Sequence, residues 1–160
     1  MADSKINLLF IEDDHEACKL VRGLIAERPD FWVECCGTLA KGLDRLADGG
    51  VSCVLLDLGL PDSQGLNGIK QVLAQYPWMP VVVISGTDSV DMAESCVKIG
   101  AQDYVVKKHL SNRLTWAIRL ALARHTAKLG NGATDKLDKT IKRLMERHKG
   151  VTGDLAGQRG

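Results

Sequence analysis

A carboxylate directly follows an apolar run in the stretch VLLDLGLPDSQG, residues 54–65, in which the acid is Asp57. The run Val54–Leu56 is short and continuously apolar, as in a strand buried on both faces of a parallel sheet. Such a sheet does its chemistry at the carboxyl ends of its strands. Asp57 is therefore the first candidate functional residue.

Three other apolar runs end in polar residues in the same way. They are followed by the acids Glu12, Asp13 and Asp14, by the pair Ser85 and Gly86, and by Lys107. The carboxyl ends of parallel strands meet at one edge of a sheet, so we expect these groups to converge on Asp57. Two carboxylates about 4 Å apart would repel each other by about 4 kcal/mol at an effective dielectric near 20. A cation is needed, and the all-oxygen ligand set suits Mg²⁺.

Apolar runs alternate five times with segments of helical period. The predicted strands cover residues 8–11, 31–36, 52–56, 81–84 and 103–106, and the predicted helices cover 15–28, 38–47, 67–75, 88–99 and 111–129. Asp14 and Thr38 are expected to cap the first two helices, and Gly100 to end the fourth. Short connections with right-handed crossovers favour an α/β, flavodoxin-like, doubly wound sheet of five parallel strands in the order 2-1-3-4-5, with helices on both faces.

The chain divides into a main domain and an appendage. We predict a domain over residues 1–127, a linker over 128–133, an amphipathic C-terminal helix over 134–149 and a disordered tail over 150–160. Residues 1–125 carry 13 Lys/Arg and 16 Asp/Glu, whereas residues 126–160 carry 8 and 4. This modest basic surplus indicates a solvated tail more than a nucleic-acid-binding segment.

Composition favours a soluble, cytoplasmic protein. The 160 residues are 45% hydrophobic and 26% charged, with no apolar stretch long enough to cross a bilayer and no secretion signal at the N-terminus. The five cysteines contain no Cys-x-x-Cys pair, which argues against a disulfide framework or a zinc site. Cys53 and Cys96 lie in apolar contexts and are expected in the core.

The polar groups follow the strands in the order acid pair, Asp57, Ser85 and Lys107, and the string Asp-x-x-Leu-Pro-Asp-x-x-Gly begins at residue 57. This arrangement resembles the receiver domain of two-component response regulators over about residues 5–127. The resemblance implies that Asp57 accepts a phosphoryl group from a histidine kinase or a histidine phosphotransfer protein. It implies Mg²⁺ as the cofactor, with Asp13, Asp57 and the carbonyl of Gly59 as ligands and Glu12 acting through water.

The resemblance also implies the remaining roles. Lys107, the Ser85 hydroxyl and the Gly86 amide would contact phosphoryl oxygens, and Ser85 and Tyr104 would switch conformation. The output would be a change in the face that helix four, strand five and helix five present to a downstream effector protein. Such a domain catalyses only its own phosphorylation and dephosphorylation, so it is not an enzyme acting on other substrates. No DNA or membrane contact is expected. A homodimer is a possible assembly.

Two positions depart from the usual receiver pattern. Lys108 stands where many receivers have a proline with a cis bond, which suggests a different path for the loop after strand five. Gly59, two residues after Asp57, has no side chain to orient an attacking water. We therefore expect slow self-dephosphorylation.

Other interpretations remain open. The final helix, with Leu137, Ile141, Leu144 and Met145 on one face, supports as an alternative an adaptor or dimerisation module for which phosphorylation is incidental; the same face could instead fold back on its own domain. A phosphohydrolase of the haloacid dehalogenase type would need a second aspartate at position 59, and a DNA-binding regulator would need a recognition helix that the tail lacks. Taken singly, the acids could be helix caps or turn formers, and Lys107 a surface charge.

Overall fold

The computed structural model describes residues 5–129 and residue 143. Five strands form one sheet: β1 (Ile6–Ile11), β2 (Phe31–Cys36), β3 (Cys53–Asp57), β4 (Val81–Ser85) and β5 (Asp103–Val106). Their order is β2-β1-β3-β4-β5, and every neighbouring pair is parallel. The predicted doubly wound sheet is confirmed.

Five helices connect or follow these strands: α1 (His15–Ala26), α2 (Leu39–Ala47), α3 (Asn67–Gln75), α4 (Val90–Lys98) and α5 (Leu110–Leu129). A 3₁₀ turn, Lys107–His109, leads from β5 into α5. A small antiparallel hairpin pairs Gly59–Leu60 with Ser63–Gln64 after β3. The hairpin was not expected from the sequence.

The sheet separates two apolar cores. Side chains alternate between the faces of each strand, so Phe10 and Leu55 pack with α1 and α5, whereas Leu9 and Leu56 pack on the face covered by α2, α3 and α4. Every residue of β3 and β4 is buried. Two buried faces explain why the strands read as continuous apolar runs.

Most helix ends agree with the sequence. Asp14 Oδ1 accepts a hydrogen bond from the Glu16 amide at 3.0 Å, and Thr38 Oγ1 accepts one from the Lys41 amide at 3.1 Å. Gly100 follows α4 with a φ of +119°, a conformation that favours glycine. The start of α4 differs from the prediction: the helix begins at Val90 rather than at Asp88, and Ser89 caps it, its Oγ accepting a hydrogen bond from the Met92 amide at 3.2 Å.

The domain boundaries remain predictions. Within the described residues the fifth helix reaches Leu129, inside the segment predicted as a linker. The rest of that linker and the predicted tail lie outside the described residues. So does the predicted helix over 134–149, apart from residue 143. Among the helices that the structure describes, none has the length and apolar character needed to span a bilayer.

Candidate functional site

Three carboxylates converge at the carboxyl edge of the sheet. Glu12, Asp13 and Asp57 each offer one oxygen within 4.8 Å of the others. The register that pairs Ile11 with Leu56 brings the ends of β1 and β3 side by side. Glu12 and Asp57 are 3% and 9% exposed, whereas Asp13 faces solvent. The structure thus brings together the acids predicted from the sequence.

Lys107 bridges two of these acids. Its Nζ lies 3.1 Å from Glu12 Oε1 and 3.5 Å from Asp57 Oδ1. No cis peptide bond occurs within the described part of the chain, so Lys107 reaches the site from a trans chain that turns directly into α5. Lys108, at the departure from the usual pattern, points elsewhere and pairs with Asp88 Oδ2 at 2.8 Å.

The cluster retains excess negative charge despite Lys107. Burial, followed by the charge of Asp57, raises the pKa of Glu12 against the opposing effect of Lys107. Burial works against the charge of Lys107, but its hydrogen bond to Glu12 and the charge of Asp57 prevail and raise its pKa. The lysine is therefore held as a cation, and repulsion between the two buried carboxylates persists.

The donor set fits a divalent cation. Glu12 Oε2 is buried and has no hydrogen-bond partner among the described residues. A buried charged oxygen without a partner is costly, and a hard cation beside it would remove that cost. Carboxylate oxygens at this spacing, with one acid open to water, suit Mg²⁺, which keeps several water ligands.

The predicted phosphoryl-contacting residues line one pocket of about 400 Å³ around Asp57. Its walls include Gly59, Ser85, Gly86 and Lys107. The Gly59 amide donates to Asp57 Oδ2 at 3.2 Å and helps to hold the carboxylate in place. The predicted role of the Gly59 carbonyl as a metal ligand stays a prediction, as do the individual roles of the other residues.

Thr87 connects the two predicted switch residues and was missed from the sequence. Its amide donates to Ser85 Oγ at 3.1 Å, and its carbonyl accepts from the Tyr104 hydroxyl at 2.6 Å. Tyr104 is only 8% exposed, so its ring lies inward. The signal available in the sequence was the short spacing of Thr87 from Ser85, but the contact with β5 depends on the fold.

Asp62 also has a role that the sequence did not reveal. Its two carboxylate oxygens accept hydrogen bonds from the amides of Leu39 and Ala40, at 2.8 and 2.9 Å. These bonds lower the pKa of Asp62, Ala40 contributing most. The loop after Asp57 is thereby tied to the first turn of α2.

The family model described as the response regulator receiver domain matches residues 8–119. The chain belongs to this family. The receiver domain explains why carboxylates from β1 and β3 and a lysine following β5 meet at one edge of the sheet.

The receiver is similar to part of several longer regulators. It is 32% identical to the transcriptional regulatory protein YkoG of Bacillus subtilis over 124 residues, covering 78% of this chain and 54% of YkoG. It is 31% identical to the transcriptional regulatory protein BasR of Escherichia coli over 122 residues, covering 75% of this chain and 54% of BasR. An NtrX-like response regulator of Rickettsia bellii is 29% identical over 74% of this chain and 25% of that protein. The chain thus spans a quarter to about half of these relatives.

Solved receiver structures share the fold. The receiver domain of NtrX from Brucella abortus has a TM-score of 0.66 and 27% identity, with 72% of this chain and 97% of that chain covered. A CheY-like receiver from Methanospirillum hungatei has a TM-score of 0.70 and 21% identity, with 78% of this chain and 99% of that chain covered. The second similarity supports the fold alone.

Proposed function

We propose that this receiver takes a phosphoryl group from the phosphohistidine of a histidine kinase or a histidine phosphotransfer protein onto Asp57. The observation that carries this proposal is the meeting of the Lys107 ammonium with two buried carboxylates beside an open pocket. Asp57 is the only one of the three acids that lines this pocket. Its carboxylate is therefore the nucleophile that an incoming phosphoryl group would meet.

In the proposed step, an Asp57 oxygen attacks phosphorus in line with the histidine nitrogen, which leaves with its bonding electrons. Lys107, the Ser85 hydroxyl and the Gly86 amide would hold the equatorial oxygens. Asp13, Asp57 and the Gly59 carbonyl would hold Mg²⁺, with Glu12 acting through water. Bound there, the metal supplies charge neutralisation of the transferring group.

The proposed output is a protein contact. A phosphoryl group on Asp57 would attract the Ser85 hydroxyl and alter the connection through Thr87 to Tyr104. The neighbouring face already exposes apolar surface, since Val90 and Val97 on α4 are 74% and 52% exposed. We propose that a downstream effector protein binds this face of α4, β5 and α5.

The remaining predictions are part of the same proposal. The receiver would act in the cytoplasm and catalyse only its own phosphorylation and dephosphorylation, with a homodimer possible through the same face. Two relatives are named transcriptional regulatory proteins, but this chain aligns with about half of each. We assign no DNA contact to it. The alternative of an adaptor acting through the C-terminal helix depends on residues outside the described ranges.

The test is incubation with acetyl phosphate and Mg²⁺, followed by intact-mass measurement. Wild type and Asp62→Asn, altered in the same loop, should each gain one phosphoryl group, whereas Asp57→Asn should gain none. Chelation of Mg²⁺ by EDTA should abolish the gain. An adduct that persists in Asp57→Asn would refute the assignment of the acceptor.

A further inference from the structure

Three of the five cysteines line a second pocket, of about 200 Å³, beside the acid cluster. Cys18 lies in the first turn of α1, and Cys35 and Cys36 end β2. Glu12 and Asp13 belong to the same pocket wall. The proposed phosphoryl transfer makes no use of these thiols.

Cys18 and Cys35 both line this pocket. The Cys18 side chain lies in the core beneath α1 and α5, and the Cys35 side chain packs against the same core. Cys18 is 8% exposed, and its Sγ lies 3.7 Å from the carbonyl oxygen of Glu12. Cys35 is only partly buried. Burial raises the pKa of the Cys18 thiol to about 12, so Cys35, the more exposed of the two residues, is the one that an oxidant would meet first.

Cys36 points to the opposite face of the sheet. Its Sγ lies 3.9 Å from the carbonyl oxygen of Thr38, and its side chain packs against the core beneath α2. Successive side chains of a strand alternate in direction, so Cys35 and Cys36 are adjacent in sequence but separated by the sheet. Cys53 and Cys96 are each 0% exposed within the two cores. Among the five thiols, Cys18 and Cys35 are thus the pair placed to react together.

We propose that Cys18 and Cys35 form a thiol-oxidation site that closes a reversible disulfide in response to a hydroperoxide. The Cys35 thiol gives up its proton and its sulfur attacks one oxygen of hydrogen peroxide. The O–O bond breaks, the departing hydroxide takes up that proton to become water, and Cys35 becomes a sulfenic acid. The Cys18 sulfur then attacks the Cys35 sulfur and releases a second water. The two thiols lose two electrons and two protons in total, and the peroxide is reduced to two molecules of water.

The location of this thiol pair would couple its oxidation to the acid cluster. A disulfide there would join the first turn of α1 to β2 immediately behind Glu12, whose carbonyl contacts Cys18. Disulfides of reducing compartments are typically transient and redox-sensing, which agrees with a pair that is free in the resting protein. Oxidation is thus a second input to the domain, chemically separate from phosphorylation of Asp57.

The test is treatment of the whole chain with hydrogen peroxide, followed by alkylation of free thiols and tryptic mapping without reductant. We expect free thiols to fall by two per chain, and peptide 6–19 to become linked to peptide 23–41. Dithiothreitol should restore both thiols. Cys18→Ala and Cys35→Ala should each abolish the link, whereas the matched variant Cys36→Ala should retain it.

Retention of all five free thiols after peroxide, or a link that survives in Cys35→Ala and disappears in Cys36→Ala, would overturn the proposal. Oxidation of Cys35 alone to sulfinic acid, without a link to Cys18, would overturn it as well. None of these measurements requires a phosphorylated protein. The outcome is therefore independent of whether Asp57 accepts a phosphoryl group.

Discussion

The Tyr104 hydroxyl donates a 2.6 Å hydrogen bond to the carbonyl oxygen of Thr87, and thereby ties β5 to the loop that follows β4. The same Thr87 donates its amide to Ser85 Oγ at 3.1 Å. A continuous path of two hydrogen bonds thus runs from the wall of the Asp57 pocket to the ring of a buried tyrosine. We expect movement at Ser85 to reach β5 along this path.

Removing the Tyr104 hydroxyl should destabilise the loop after β4 without leaving a cavity in the core. We expect Tyr104→Phe to lower the free energy of unfolding by about 1 kcal/mol, because it deletes one hydrogen bond and keeps the ring. Amide exchange in residues 86–89 should accelerate. Tyr76→Phe, at the other tyrosine, is the control and should leave that exchange unchanged. Equal exchange in Tyr104→Phe and wild type would contradict the proposed path.

The bridge made by Lys107 should stabilise the domain most when Mg²⁺ is absent. Lys107→Met leaves the Glu12 and Asp57 carboxylates facing each other, and we expect a loss of about 2 kcal/mol in EDTA, since Lys107 is largely shielded from solvent. Added Mg²⁺ should narrow the loss by supplying the missing positive charge. Urea unfolding with and without Mg²⁺ measures both effects.

The matched control is Lys108→Met, which breaks only the exposed pair with Asp88. Its stability should stay close to that of wild type under both conditions. A Mg²⁺ effect that is identical in Lys107→Met and wild type would show that the ion binds away from this cluster.

The pair of Glu34 and Arg45 predicts a specific pH dependence. Arg45 Nε lies 2.7 Å from Glu34 Oε2, and this hydrogen bond, more than the opposing burial, lowers the pKa of Glu34 from its ordinary value of 4.5. The stabilisation is therefore fully present above pH 4.5 and is lost as the pH falls through the lowered value of the folded state. Because both side chains are partly exposed, we expect Glu34→Gln to cost less than about 1 kcal/mol at neutral pH.

Urea unfolding of Glu34→Gln and wild type across a pH series measures this difference. The two curves should converge at the acidic end, where Glu34 is protonated in both states of the wild type. Glu27→Gln, at the residue directly after α1, serves as the control for loss of an acid elsewhere. A difference that stays constant down to the lowest pH would show that the pair acts through packing and not through charge.

The position two residues after Asp57 should control the lifetime of the acyl phosphate. A Cβ at Gly59 would lie 3.7 Å from Asp57 Oδ2, which is ordinary contact, so a larger side chain fits there. We expect slow decay in wild type, no change in Gly59→Ala, and several-fold faster decay in Gly59→Asn, whose amide can orient water. Loss of the phosphoryl group, followed by intact mass over time, measures the rate. A half-life of only seconds in wild type would contradict the expectation.

The sheet could be predicted because its strands are buried on both faces. Continuous apolar runs such as Val81–Ile84 leave little ambiguity when turn residues bound them. The site followed from the same logic, since the groups at the carboxyl ends of parallel strands have to share one edge. Lys107 could be placed near Asp57 from strand order, although its closer contact is with Glu12.

The features that escaped prediction all depend on contacts between distant elements. Asp62 caps a helix 22 residues earlier in the chain, and Tyr104 reaches Thr87 across 17 residues. Neither contact leaves a periodic pattern in the sequence. The start of α4 was placed at Asp88, two residues too early: the helix begins at Val90 with Ser89 as its cap, and Asp88 pairs with Lys108.

We propose that Asp57 becomes an acyl phosphate in a site assembled by Mg²⁺ and Lys107. Borohydride reduces an acyl phosphate on aspartate to homoserine, so peptide mapping after acetyl phosphate and borohydride treatment identifies the modified residue. We predict homoserine at position 57 when Mg²⁺ is present, and none when it is chelated. Homoserine at position 13 or 62, or at position 57 regardless of Mg²⁺, would contradict the account.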